Sequence, residues 1–267
     1  MIRPPAVSGR FYPSDKKKLA LEIQQYTASK NRKFAVRGCV VPHAGYMYSG
    51  HVAGAVYSAI EIPARCILLG PRHFPGGEAM AIISEGSWQT PFGDAQIDAE
   101  LASSLKQACP LLCEDRVAHQ REHSLEVQIP FLQQLNANLR FVPVVLATNR
   151  YHELEALGRA VAKVIKAQSD AVLLIASTDM NHYESDVITR KKDQKAIDRI
   201  LELDPRGLYD TVRAEDITMC GYAATVAMLV AMRDLGAKQA ELVRYATSGD
   251  ITGDREEVVG YAGLIVR

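Results

Sequence analysis

Val172-Leu173-Leu174-Ile175-Ala176-Ser177-Thr178-Asp179-Met180-Asn181-His182 is an apolar run that breaks into a polar turn and ends on an imidazole. Two earlier runs repeat the pattern, Cys39-Val40-Val41-Pro42-His43 and Ile67-Leu68-Leu69-Gly70-Pro71-Arg72-His73. Short apolar runs without polar alternation read as strands buried on both faces, the habit of parallel sheets. Between them the period changes: His51 to Ile60 is rich in Val and Ala, and Tyr151 to Ala167 spaces Leu154, Leu157, Val161, Val164 and Ile165 as an amphipathic helix does. Strand, helix and strand in alternation predict an α/β fold. If the runs lie parallel, their carboxyl ends share the edge where open α/β sheets bind ligands, and three imidazoles there point to a metal or catalytic pocket.

The remaining chain fits one domain spanning residues 1–267. Ser14 caps a helix running to about Ser29, with Leu19, Ile23 and Tyr26 on one side. Ala79 to Ser84 reads as a strand, Trp88 to Asp94 as a turn-rich excursion, and Asp98 as the cap of the next helix. Cys109 to Arg121 is the least regular stretch. Ser124 to Leu135 is helical, with Pro130 kinking it or dividing it into two pieces, and Phe141 to Leu146 is a strand that Pro143 weakens. A charged helix follows from Asp186 to Leu203, then Pro205 to Tyr209, then an Ala-rich helix from Gly221 to Leu235 stopped by Gly236. The strands Leu242 to Ala246 and Val258 to Val266 finish the chain; Ser248 to Glu257 joins them as a hairpin, which makes the central sheet mixed, mostly parallel and flanked by helices. No linker, low-complexity tract or internal repeat divides the sequence.

With 31 basic and 31 acidic side chains the formal charge is zero, so no broad footprint exists for nucleic acid or an anionic membrane. The first residues lack an apolar signal core and no run reaches the roughly 20 apolar residues of a membrane span, so the expected location is the cytoplasm. Five cysteines form no Cys-x-x-Cys pair, and an odd count in such a chain argues for buried thiols rather than a disulfide framework.

His43 and His73 are candidate metal ligands held on rigid strand ends; the alternative is a pair of hydrogen-bonded turn histidines. Cys220 precedes the Ala-rich helix, whose amides and macrodipole are expected to favour the thiolate, a metal ligand or a nucleophile; no base is named for the nucleophile, so metal ligation is preferred, and the alternative is a small hydrophobe sealing the helix start. His123, beside Glu122, is a candidate base or a capping residue, and His119 four positions earlier does not complete a His-Glu-x-x-His zinc motif. Asp179 and His182 share a turn in which the carboxylate orients the imidazole, contacts a ligand, or merely caps. His51, His152 and the run Arg190-Lys191-Lys192 read as ordinary surface features, and nothing resembles a phosphate-binding loop.

Pro42-His43-Ala44-Gly45-Tyr46, Leu69-Gly70-Pro71-Arg72-His73, Thr90-Pro91-Phe92-Gly93-Asp94, Glu122-His123-Ser124-Leu125-Glu126, Ser177-Thr178-Asp179-Met180-Asn181-His182 and Cys220-Gly221 occur in an order that resembles the Memo family, whose bacterial branch is called AmmeMemoRadiSam system protein B. The resemblance begins at Ala6-Val7-Ser8-Gly9-Arg10-Phe11-Tyr12 and covers nearly the whole chain. It implies the fold of the class III extradiol ring-cleaving dioxygenases and a mononuclear metal triad of His43, His73 and Cys220. It also implies acid/base histidines at His123 and His182. The dioxygenases carry a carboxylate where this chain has Cys220; a thiolate shifts preference toward copper(I), zinc or differently tuned iron, so dioxygenase activity does not carry over with the fold. The family often has a second histidine after the position of His73, where this chain has Phe74.

Three functions follow from the resemblance. The first is a non-heme redox enzyme, with Fe(II) expected and copper or zinc as alternatives, acting on an unknown small molecule while His123 or His182 moves a proton and Asp179 orients. The second is a non-catalytic protein whose pocket takes a metal, a peptide or a phosphopeptide. The third is a zinc hydrolase with an open position for water. The family name implies association with a radical S-adenosylmethionine protein and with protein A of the same system.

Overall fold

Apolar runs without a polar side must be covered from both directions, and in the computed structural model, which describes residues 1–28 and 33–267, they are. The first half of the chain forms β1 (Ile2–Arg3), α1 (Lys16–Tyr26), β2 (Gly38–Val41), α2 (Tyr46–Ala59), β3 (Arg65–Pro71), β4 (Met80–Ile82), β5 (Ser87–Thr90), β6 (Gly93–Ile97), α3 (Ala99–Ala108), β7 (Cys113–Glu114) and α4 (Val117–Gln120). The second half forms α5 (Ile129–Leu135), β8 (Arg140–Leu146), α6 (Tyr151–Lys166), β9 (Val172–Ser177), β10 (His182–Glu184), α7 (Asp186–Leu201), α8 (Pro205–Ala214), α9 (Tyr222–Asp234), β11 (Ala240–Thr247), α10 (Gly249–Thr252) and β12 (Val258–Val266).

The sheet order is β1-β5-β6-β8-β3-β9-β2-β12-β10, with β11 also on β12 and β4 on β8. Its centre, β8-β3-β9-β2, is parallel, and the register pairs Pro71 with Leu146, Leu69 with Ala176 and Val41 with Ser177. Those pairings bring the carboxyl ends of all four strands to one edge. The flanks are mixed: β12 is antiparallel to β2, β10 and β11, β5 is antiparallel to β6, and β4 is antiparallel to β8. Among the described residues no helix is long and apolar enough to cross a membrane.

Successive strand residues face opposite layers, as the two-residue period of a strand requires. Val40, Ile67, Leu69, Leu174 and Ala176 pack with Leu105 of α3, Leu157 and Val161 of α6, Ile197 of α7, Leu208 of α8 and Leu229 of α9. Cys39, Val41, Cys66, Leu68, Leu173 and Ile175 pack with Leu19 and Ile23 of α1, Val56 and Tyr57 of α2, and Phe131 of α5. Truncating any of these fully buried leucines to alanine would cost roughly 2–5 kcal/mol.

Several local expectations are corrected. Asp15, not Ser14, caps α1, because its carboxylate accepts from Lys18 N–H at 2.9 Å. The helix ends at Tyr26, and the expected end at Ser29 lies outside the described residues. α2 begins at Tyr46 rather than His51: Tyr46 N–H donates to Phe11 C=O and starts the helix at Gly45. Ser87 to Ile97 is a β-hairpin rather than an excursion. Gly93, at φ 108°, closes the turn in a conformation open to glycine, and Thr90 Oγ1 accepts from Phe92 N–H. Pro130 marks a boundary, sitting in the first turn of α5 after a 3-10 turn at Glu126–Gln128. Pro143 is tolerated because the neighbour on the side away from β3 changes there, from β6 at Arg140 and Phe141 to β4 at Val144 to Leu146. α8 continues past Tyr209 to Ala214, and β11 and β12 form the expected antiparallel pair with α10 in their connection.

Candidate metal centre

At the carboxyl edge, His43 follows β2 and His73 follows β3, and the segment after α4 delivers His123 to the same place. One ligand atom from each of these three histidines lies within 4.8 Å of the others. The His73 and His123 rings stack, with centroids 4.5 Å apart and planes at 23°, while His43 meets both edge-on at 5.2 and 5.6 Å. His43 is 1% exposed and the His73 side chain 29%, so the cluster opens to solvent on the His73 side.

The hydrogen-bond network assigns the nitrogen that faces the cluster. Ser177 Oγ donates its one proton to Ser124 C=O at 2.6 Å and accepts from Gln128 Nε2 at 2.9 Å. Gln128 cannot be reversed, since the same Nε2 donates to Pro42 C=O and its Oε1 accepts from Tyr57 O–H. His43 Nδ1, 3.0 Å from Ser177 Oγ, is therefore the donor, and its Nε2 keeps the lone pair. His73 Nδ1 lies 2.9 Å from Glu122 Oε1, and His182 Nδ1 lies 2.9 Å from Thr218 C=O. Both acceptors again leave Nε2 free.

Burial lowers the pKa of His43 well below the usual imidazole value, and the neighbouring imidazoles of His73, His123 and His182 add to the fall. Burial likewise brings His123 down to about 4, with Glu122 opposing, and lowers His182. Neutral imidazoles with committed Nδ1 protons are the protonation state that binds cations. For Glu122 burial pushes the carboxyl up, but the hydrogen bonds it accepts from the His73 ring and from backbone N–H groups outweigh it and hold it at about 2. Asp179 is raised by burial to about 6, against backbone N–H bonds from His43 and Ala44.

Cys220 and Asp179 stand on the flank of His43. Cys220 Sγ is 3.3 Å from His43 Nε2 and accepts from Asp179 N–H at 3.3 Å; Asp179 Oδ1 accepts from His43 N–H at 2.7 Å. The tight group of three ligand atoms does not include Cys220. The expectation that the helix start favours its thiolate is corrected: burial, and next Asp179, push the thiol up. At the helix cap, Gly221 N–H donates to Thr178 Oγ1 at 2.9 Å rather than to the sulfur, so burial is not offset there. A cation at the sulfur would have to displace that proton. His182 lies on β10, away from the parallel strands, where Thr218 accepts from its ring and its backbone N–H. His119 is buried elsewhere, with Nε2 3.3 Å from Ala81 C=O and its ring against Trp88.

Sequence reading missed the residues that hold this segment. Arg3 Nε donates to His119 C=O at 2.8 Å, Nη2 to Glu122 C=O at 2.6 Å and Nη1 to Glu126 Oε2 at 2.7 Å, while the guanidinium covers the Trp88 ring at 4.1 Å. Glu126 also accepts from Ala6 N–H, Val7 N–H and Tyr12 O–H, which fastens the N-terminal segment and sets the Phe11 ring 4.9 Å from His123. Phe74 stands 6.4 Å from the same ring, under the Arg121 guanidinium.

The family model described as Memo-like protein matches residues 3–265. The MEMO1 family protein MK0963 of Methanopyrus kandleri is 39% identical over 281 aligned positions, covering 100% of this chain and 99% of that one. MmarC5_0191 of Methanococcus maripaludis, also a MEMO1 family protein, is 42% identical over 288 positions and full length on both sides. Among solved structures, that of the uncharacterized protein JW3007 from Escherichia coli K12 is similar in fold, with TM-score 0.61 at 10% identity, covering 86% of this chain and 99% of that one.

Proposed function

The chain belongs to the Memo-like family, and from that premise we propose that its convergent imidazoles hold one metal ion for a redox reaction on a small molecule. One observation carries the reading: His43 and His73 both spend Nδ1 on an acceptor and turn unprotonated Nε2 atoms toward a common space beside a thiol. The family resemblance makes Fe(II) the expected ion, with copper or zinc, which a thiolate donor favours, as the alternatives. When bound, such an ion supplies Lewis acidity and, for iron or copper, electron transfer. Cys220 is the proposed third ligand. His123, neutral and with its side chain 16% exposed, accepts or returns a proton at its ring; His182, held by Thr218, is the second candidate for that role. Asp179 holds the His43 backbone and orients the sulfur. The family resemblance adds partnership with protein A and a radical S-adenosylmethionine protein.

A second reading is favoured by the closeness of His123 to His43 and His73, since three imidazoles are also a zinc donor set that activates water. Anaerobic purification and metal analysis test the shared core of both. Near-stoichiometric metal that His43→Ala loses, with unchanged circular dichroism, is expected of both, and its loss on Cys220→Ala of the first alone; folded wild-type protein that takes up no iron, copper or zinc would overturn both. Oxygen uptake across a catechol panel against hydrolysis of activated esters then separates redox from hydrolysis.

A further inference from the structure

We propose that Glu122 is the positioning residue that selects which His73 nitrogen meets the metal, and that its buried negative charge tunes the site toward divalent cations. This inference rests on the metal reading above. The Glu122 side chain is 0% exposed. Its Oε1 accepts from His73 Nδ1 at 2.9 Å, from His123 N–H at 2.9 Å and from Ser124 N–H at 2.8 Å, and its Oε2 accepts from His73 N–H at 2.6 Å. Backbone amides can only donate, so three of these four contacts demand an acceptor and favour the ionised carboxylate, to which His73 Nδ1 then donates.

Two consequences follow from that geometry. One oxygen grips the His73 backbone and the other its ring, so both the direction of the side chain and the rotation of the imidazole are set by a single residue. The same carboxylate binds the backbone on either side of the His123–Ser124 peptide, which holds the His73 and His123 rings in their stack. A carboxylate on the far nitrogen of a ligating histidine fixes the tautomer and raises ligand basicity. It also adds a buried negative charge behind a ligating imidazole, beside that of Asp179 at 3.9 Å from His43 Nε2, and this field attracts a doubly charged ion more strongly than a singly charged one.

The test uses Zn2+ and Cu+ as probes, titrated against competing chelators, on wild-type protein and Glu122→Gln. The variant is expected to weaken Zn2+ binding by about 10–100-fold. Because the Coulomb attraction scales with ionic charge, the loss for Cu+ should be about half as large on a logarithmic scale, roughly 3–10-fold. Equal losses for both ions would assign Glu122 a scaffold role only, and no loss for either would also overturn the proposal. The amide of the variant introduces donors among donors, so a measurement on wild-type protein stands beside it. Long-range nitrogen–proton NMR of metal-free protein should find His73 carrying its proton on Nδ1, and a proton on Nε2 overturns the orientation claim. Wild-type protein that binds neither ion refutes the metal reading itself, while the His73 tautomer still tests the orientation claim.

Discussion

Arg3→Met removes a cation from a buried polar network while keeping a side chain of similar reach. Glu126, 1% exposed, loses its ion-pair partner but keeps Ala6 N–H, Val7 N–H and Tyr12 O–H. Breaking a buried pair by removing one partner costs about 3–5 kcal/mol, and the three surviving donors argue for the lower end. The carbonyls of His119 and Glu122 also lose a donor, at about 1 kcal/mol each or more. The expected total is therefore about 5 kcal/mol, read as a lower midpoint in urea unfolding with an unchanged slope. Adding Glu126→Gln removes the stranded charge and should return at least about 1 kcal/mol, a coupling that a double-mutant cycle isolates. A loss below about 1 kcal/mol, or strict additivity of the two changes, would show that the network is not the fastening described.

Burial lowers His119 to about 4 from its ordinary 6.5. Between those values the unfolded chain binds a proton that the folded chain does not, so stability is full above pH 6.5 and falls as the pH drops toward 4. His119→Gln should flatten the unfolding free energy over that window by up to about 1.4 kcal/mol per pH unit, and an unchanged slope would contradict the burial argument. Gly260→Ala would drive a methyl into Asp193 Oδ2, which Tyr245 O–H also occupies, and should destabilise by about 1–3 kcal/mol in thermal or urea unfolding. With Co2+ as a spectroscopic probe, wild-type protein should show sulfur-to-metal charge-transfer absorption that Cys220→Ser abolishes; the same band in both would exclude Cys220 as a ligand.

The strand-tip histidines were legible because an apolar run has one place to go and its end is marked by the first polar turn. His43 and His73 thus declare their edge without any knowledge of their neighbours. The β5–β6 hairpin was not legible: its strands are short, and Trp88 is buried by closure against Arg3 rather than by a pattern of its own. The early start of α2 depends on Phe11, far away in sequence. The same limit applies to the site. Glu122 reads only as a carboxylate beside a histidine at a helix start until the fold surrounds it with N–H donors. Cys220 reads as an activated helix-start thiol until Thr178 is seen to take the Gly221 amide. Ser177 looks like the last residue of a strand, yet its single proton sets the tautomer of His43.

The contacts that build the cluster span great lengths of chain: 134 residues from His43 to Ser177, 136 to Asp179 and 177 to Cys220. Closure of such long loops comes late in folding, since its entropy must be met before the contacts reward it. During synthesis the imidazoles of His43, His73 and His123 emerge well before the sulfur that flanks them. A nascent chain can therefore offer only scattered nitrogens, and the complete donor set exists once α9 has docked beneath the sheet edge. An ion that binds only that state adds to global stability by mass action, about 2.7 kcal/mol at one hundred times its dissociation constant. Metal occupancy would thus serve as a certificate of finished folding, issued by the last third of the polypeptide.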